Sequence, residues 1–256
     1  MRRILGLTKA QTILGFGLLF SAISSVAIRD GKASDDVTSQ LATLDQIIER
    51  VSPSVVALTG TIDRAFHTQP IVPDGGFPDP PVRRQISGSG VIVDADRCIV
   101  VTANHLIENA SSISVELKDG HRVEAKRIAT SQNDDLAIIL VPADGLVEAT
   151  IDDRYEPKVG EFVVSIGYPL GIGPIATFGM IGAVHQSYAP LESRDLIVTD
   201  ALIDQGSSGS ALVNMRGGLV GINVAHIGRS SGYGLAVSAS AIRSLLSQVR
   251  LERCRS

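Results

Sequence analysis

Polar and apolar positions change their period several times along this chain, and each change marks an element. In SQLATLDQIIERVSPS (residues 39–54), Leu44, Ile47, Ile48 and Val51 recur at helical spacing before Pro53, which predicts a short amphipathic helix ending there. The period then drops to that of strands. SVVALTGT, SGSGVIVDA, RCIVVTA, SISVELKDGHRVEAKRI and DLAIILV are β-branched runs separated by turn residues, and Asp119-Gly120 falls between two alternating stretches as a hairpin does. After a polar stretch around Asp152 to Pro157 a second set follows: EFVVSIG, ATFGMIGAVHQ, DLIVTDALI, SALVNMRGGLVGINVAHI and GYGLAVS. The last segment, SASAIRSLLSQVRL, returns to helical spacing with Ile242, Leu245, Leu246 and Val249 on one stripe, which is expected to pack on the second set of strands. Short strands in two groups without interleaved helices predict an all-β chain, either a pair of barrels or a sandwich.

Two segments stand apart. Residues 1–33 begin with Arg2, Arg3 and Lys9, continue as an apolar run from Thr12 to Ile28, and offer the small residues Ser25-Val26-Ala27 as a cleavage site. This is a signal peptide or a signal anchor, so the body of the chain is expected to be exported. HTQPIVPDGGFPDPPVRRQ (residues 67–85) has several prolines and no periodicity, and reads as a long exposed loop. The expected organisation is therefore 1–33 leader or anchor, 34–53 linker and short helix, 54–150 first barrel, and 151–256 second barrel with its terminal helix.

Composition narrows the function. A net charge of −4 with no long basic block excludes a nucleic-acid footprint, and the absence of Trp removes the usual stacking platform for single strands or sugars. Cys98 lies in an apolar strand and reads most simply as a small buried hydrophobe, although a bridge to Cys254 is open in an oxidising compartment. The histidines lack metal-ligand spacing, GYPLGIGP (167–174) lacks the ending of a phosphate loop, and no cofactor or metal is expected.

The remaining chemistry is serine chemistry. A serine hydroxyl needs a base to take its proton and a third group to orient that base. Among five histidines, His67 and His121 sit in loop and turn sequence, whereas His105 directly follows the apolar strand CIVVTA. Asp135 opens the apolar run LAIIL, where a carboxylate is costly unless hydrogen-bonded. DQGSSGSALVN (204–214) supplies the serines. The order His105, Asp135, Ser208 is that of two-barrel peptidases; an α/β-hydrolase requires Ser, acid, His. Gly206 lies two positions before Ser208, so the backbone N–H groups of Gly206 and Ser208 are the candidate oxyanion donors. Ser207 is expected to point away and Ser210 to begin the next strand.

With these residues in place, the chain from about Leu44 to Val249 resembles the HtrA/Deg family of trypsin-like serine proteases. SGSGVIVDADRCIVVTANHLIENA is similar to the family's histidine segment, NDDLAIILV to its aspartate strand, and TDALIDQGSSGSALVNMRGGLVGINVAHI to its serine segment. The resemblance implies two perpendicular six-stranded barrels with the triad at their junction, a periplasmic serine endopeptidase cleaving unfolded or envelope proteins and peptides, and a homotrimer, with membrane anchoring through residues 12–28 if the leader is retained. It also implies a substrate side-chain pocket lined by Ile203, Asn223 and His226, accepting Val, Ala or Ile. Relative to the family the protein is expected to lack a PDZ domain after the protease, and it has Ser207 for the usual Asn and Ser210 for the usual Gly. The last change stiffens the nucleophile turn. Those departures leave a second reading, a catalytically silent or latent double-barrel scaffold or chaperone that needs a partner.

Overall fold

A computed structural model describes residues 43–64, 82–151, 155–168, 173–189, 191–204, 206–227, 232–250 and 252–254. The leader (1–33), most of the Pro-rich stretch and part of GYPLGIGP lie outside them. Among the described residues no helix is long and apolar enough to cross a bilayer.

Twelve strands close into two six-stranded antiparallel barrels. The first contains β1 (Val55–Arg64), β2 (Val82–Asp94), β3 (Ile99–Ala103), β4 (Ser112–Glu116), β5 (Arg122–Ser131) and β6 (Leu136–Leu140), in spatial order β1-β2-β3-β6-β5-β4. The second contains β7 (Phe162–Gly167), β8 (Ile175–Tyr188), β9 (Leu191–Thr199), β10 (Ala211–Asn214), β11 (Leu219–Ile227) and β12 (Tyr233–Ser238), in spatial order β10-β11-β12-β9-β8-β7. The expected all-β class is thus observed, in its double-barrel form. Closure removes sheet edges, which would otherwise expose unpaired N–H and C=O groups.

Local sequence explains most of this. Asp119-Gly120 forms the β4–β5 turn, with Gly120 at φ +84° and its N–H donated to Leu117 O. Every residue of β3 is buried, as expected of a strand with apolar residues on both faces. Val163, Ile181, Ile197, Leu212, Val220 and Ala236 form one core cluster from the second barrel's strands. Val164 and Ile166, the alternate residues of β7, belong to the cluster that also contains the core of the first barrel.

Helix α1 (Leu44–Val51) buries Ile47 and Val51, and Arg50 Nη2 reaches 2.7 Å to Arg216 O in the β10–β11 turn. Helix α2 (Ala239–Ser247) buries Ile242 and Leu245 and packs on β11 and β12, as its stripe predicts, and also on β5.

Two expectations are corrected. Residues 82–85 are not loop: they extend β2, with Gln85 opposite Thr61 and Arg83 opposite Asp63. The extension carries little hydrophobic signal because the side chains of Arg83, Arg84 and Gln85 face solvent; the Arg83–Asp63 ion pair at 3.2 Å joins exposed groups. Cys98 is not a free buried thiol. It is bonded to Cys254, with the Cα atoms 5.7 Å apart, and so ties the segment after α2 to the β2–β3 turn. Cys254 N–H donates to Asp96 O at 3.0 Å, and Arg253 reaches the Asp96 carboxylate at 3.4 Å.

Candidate active site

His105 lies in a 3-10 turn, Asn104–Leu106, directly after β3. Asp135 directly precedes β6, which pairs with β3, with Ala103 opposite Leu136. This register brings the two residues together although they are far apart in sequence. Asp135 accepts the His105 backbone N–H on Oδ1 at 2.8 Å and the His105 Nδ1–H on Oδ2 at 2.6 Å. Asn104 N–H also donates to Asp135 O at 2.9 Å, so the two loops are joined by backbone as well. Asp135 has φ +51°, a left-handed conformation that Asp tolerates better than most residues. Its side chain is only 10 % exposed, and such burial of a carboxylate is stable because it is hydrogen-bonded. An ionised Asp135 holding Nδ1–H leaves the Nε2 lone pair of the half-exposed imidazole available as a base.

The serine turn connects the segment after β9 to β10. Gly206 and Gly209 take φ +93° and +83°, while Ser210 is not among the residues with positive φ, so the serine that replaces glycine there carries no left-handed strain. Ser207 donates its N–H to Asp204 O at 2.9 Å, and its hydroxyl accepts from Asp204 N at 3.3 Å. Ser208 is half-buried, and its carbonyl accepts the Ser89 N–H of β2 at 2.8 Å. Gly88 has room for both partners of the site: a Cβ there would lie 2.3 Å from Leu106 Cδ1 and 2.9 Å from Ser208 O. The serine turn therefore rests on the same stretch of β2 as the residue following His105. Among the described residues Ser208 Oγ forms no hydrogen bond with His105, and the N–H groups of Gly206 and Ser208 donate to no described residue. The donors proposed for an oxyanion are thus not used by the described fold.

Beneath the turn lies a buried polar network. Asn223 Nδ2 donates to Ser165 Oγ at 2.9 Å and Ser210 Oγ at 2.8 Å, while Asn223 O accepts Gly209 N–H at 2.7 Å. Asn223, expected in the wall of the substrate pocket, is 0 % exposed, and its amide braces the turn from below. The other two residues expected in the pocket both neighbour Gly234. Ile203 packs over Gly234, where a Cβ would come within 2.1 Å of Ile203 Cδ1, and Gly234 pairs with the exposed His226. Of the remaining histidines, His121 is 82 % exposed beside Asp119, and His185 pairs with Asp195 at 2.8 Å. His67 lies outside the described residues. Among the described residues no group of His, Cys, Asp and Glu could hold a metal ion.

Sequence reasoning passed over Ser89 and Thr102, both 0 % exposed. Thr102 Oγ1 donates to Ser89 O at 2.6 Å, which continues the chain of contacts from the histidine strand to the serine turn. Their only sequence signal is a hydroxyl inside an otherwise apolar or glycine-rich run.

Comparison with known proteins agrees with this fold. Residues 88–222 match the trypsin-like peptidase domain. The chain is 34% identical over 269 residues to a probable serine protease do-like protein of Buchnera aphidicola subsp. Acyrthosiphon pisum, covering 93% of this chain and 55% of that one. It is 36% identical over 251 residues to the periplasmic pH-dependent serine endoprotease DegQ of Escherichia coli strain K12, covering 92% of this chain and 54% of the relative. The chain thus spans about half the length of these relatives. Among solved structures it is similar to the HtrA-type protease AlgW with tripeptide, with a TM-score of 0.70 at 27% identity, covering 81% of this chain and 63% of that one. A serine endoprotease from Yersinia pestis gives a TM-score of 0.65 at 28% identity, covering 81% of this chain and 66% of that one.

Proposed function

Because the chain belongs to the trypsin-like peptidase family and is HtrA-like in sequence and fold, we propose that it is a serine endopeptidase with His105, Asp135 and Ser208 as its triad. The observation that supports this reading is the double hydrogen bond of Asp135 to His105, which orients the imidazole as a general base requires. Ser208 Oγ attacks the scissile carbonyl as its proton passes to His105 Nε2. The oxyanion is received by the Gly206 and Ser208 N–H groups, and the imidazolium is stabilised by Asp135. His105 then protonates the leaving amine, and the C–N bond breaks to leave an acyl-Ser208. Water, deprotonated by the same ring, attacks the ester and releases the acid.

Ile203 and His226 form the proposed side-chain pocket, with the buried Asn223 behind it holding the serine turn. Its apolar floor and proximity to Gly234 support a small residue such as Val, Ala or Ile before the scissile bond. The proposed substrates are unfolded or envelope-associated proteins and peptides, with no nucleic acid and no cofactor. The proposed compartment is the periplasm, supported by the relative's printed name and by the Cys98–Cys254 bridge, which an oxidising compartment preserves. Anchoring through residues 12–28 and the division into leader, linker and two barrels remain part of this reading. A homotrimer is supported by the outer face of β7–β8. There Phe162, Phe178 and Met180 are 55 %, 47 % and 42 % exposed, and the two phenyl rings lie 5.2 Å apart.

The test is casein hydrolysis and fluorophosphonate labelling of wild type beside S208A. Wild-type activity and labelling that both vanish in S208A are expected; equal labelling of the two proteins defeats the assignment.

A further inference from the structure

We infer that Ser89 of the first barrel is a positioning residue for the oxyanion turn of the second, acting through both its hydroxyl and its backbone; this rests on the serine-peptidase reading above. Ser89 is 0 % exposed and makes four hydrogen bonds, three of them to the second barrel. Its N–H donates to Ser208 O at 2.8 Å. Its Oγ donates to Gly206 O at 3.3 Å and accepts the Tyr168 N–H at 2.9 Å. Its own carbonyl accepts Thr102 Oγ1–H at 2.6 Å, which links it to the strand that ends at His105. One residue of β2 thus holds the carbonyls on both sides of Ser207, and Gly206 and Ser208 are the two residues whose N–H groups receive the oxyanion.

The valence of the hydroxyl matches this role. A serine hydroxyl has one proton to give, here to Gly206 O, and lone pairs to receive, here from Tyr168 N–H at the end of β7. The site also excludes substitutes. Gly209 comes so close that a Cβ would lie 2.0 Å from Ser89 O, and a Cβ on Gly167 would lie 3.0 Å from Ser89 Oγ. Two glycines therefore leave the space that lets the nucleophile turn and the end of β7 close on this serine. Oxyanion donors are effective when they are fixed before the charge develops, because no reorganisation is then needed as it appears. A clamp outside the substrate's reach supplies that fixation. A register shift of β2, or separation of the barrels, would release both carbonyls at once.

Four proteins are compared on one peptide ester: wild type, S89A and S208A, and S112A as a control on the exposed outer face of the first barrel. S89A removes the hydroxyl and keeps the backbone bonds. We expect kcat to fall about 10–100-fold, KM to change less than threefold, and affinity for a peptide boronate, which mimics the tetrahedral adduct, to fall in parallel with kcat. A merely structural role would lower the thermal midpoint and leave both kcat per titrated site and boronate affinity unchanged. If S89A fails to fold, S89C, which keeps the shape with a weaker donor, is measured in its place and is expected to lose at least threefold in kcat. Wild-type kcat and boronate affinity in the folded variant overturn the clamp and leave the peptidase reading standing, provided S208A is inactive. Hydrolysis unaffected by S208A overturns both.

Discussion

Asp135 holds His105 at two points, the ring Nδ1–H at 2.6 Å and the backbone N–H at 2.8 Å, so the carboxylate fixes both the imidazole and the turn that carries it. The two functions separate in D135N. An asparagine oxygen can still accept the backbone N–H, which preserves the turn. Its amide nitrogen cannot accept from Nδ1, so the ring is driven to the tautomer that has no lone pair at Nε2. The expected result is a fall in kcat of about 10⁴-fold with little change in KM. Steady-state kinetics on a peptide ester checks this, and a loss below tenfold would mean that Asp135 does not orient the base.

The nucleophile turn depends on a glycine for space as well as for conformation. Gly209 has φ +83°, and a Cβ there would lie 2.0 Å from Ser89 O and 2.6 Å from Thr102 Oγ1. G209A must push the turn away from β2, and Ser208 moves with it. We expect a fall in kcat of at least 10²-fold, because small displacements of a nucleophile are that costly. The variant should stay folded by circular dichroism, since the barrel ladders do not include this residue.

How far the sequence exposed this arrangement depended on how each residue acts. The pairing of His105 with Asp135 was legible because a polar group at the end of an apolar strand needs a partner, and Ser208 was proposed because two glycines frame it. The hairpin at Gly120 and both helices followed from period and punctuation. Residues 82–85 did not, because a strand with solvent on its faces has no alternation to read. The inward turn of the Asn223 amide was silent for a different reason: proximity in sequence to the expected pocket strand does not reveal which way a side chain points, and its bonds to Ser165 and Ser210 turn it inward. Ser89 was silent because its partners, Gly206, Ser208 and Tyr168, lie some 80 to 120 positions away and meet it only once both barrels have closed.

Asp195 gives the fold a defined response to acid. Burial by itself would raise its carboxyl pKa, but hydrogen bonds from Ser238, Ser240 and His185 together hold it below the ordinary value of 3.8. A carboxyl with a lowered folded-state pKa stabilises the fold above its unfolded value and loses that contribution as pH falls through the folded one. D195N should therefore melt lower than wild type at pH 7, by about 1–4 °C for a partly exposed cluster of this kind. The gap should close below about pH 4, where wild type is losing the same charge. Thermal scans from pH 2.5 to 8 measure it. A gap that widens toward acid would contradict the sign.

The apolar outer face of β7–β8 predicts the assembly state. Phe162 and Met180 are opposite one another in the ladder, and Phe178 stacks at a tilt against Phe162. Phe162→Asp with Met180→Asp places two charges on this face without touching the second barrel's core, which is built from Val163 and Ile181. If the proposed trimer uses this face, sedimentation should shift from trimer to monomer while the thermal transition stays cooperative. A wild-type protein that sediments as a monomer rules out the trimer directly.

The Cys98–Cys254 bridge joins residues 156 positions apart, so the chain it closes includes most of both barrels. Cross-linking so long a loop removes much of the freedom of the unfolded chain, and a native disulfide of this kind contributes about 2–4 kcal/mol. Reduction, or the C98S/C254S pair, should then lower the thermal midpoint by about 4–15 °C. The bridge ties the segment beyond α2 to the turn before β3, whereas the contacts holding Ser208 run through Ser89 and Thr102 of β2 and β3. Well below the melting transition, kcat should therefore survive reduction. Loss of stability with kcat retained would show that the tether supports the fold independently of the site. A parallel loss of kcat at 25 °C in fully folded, reduced protein would show instead that the turn before β3 transmits the tether to His105.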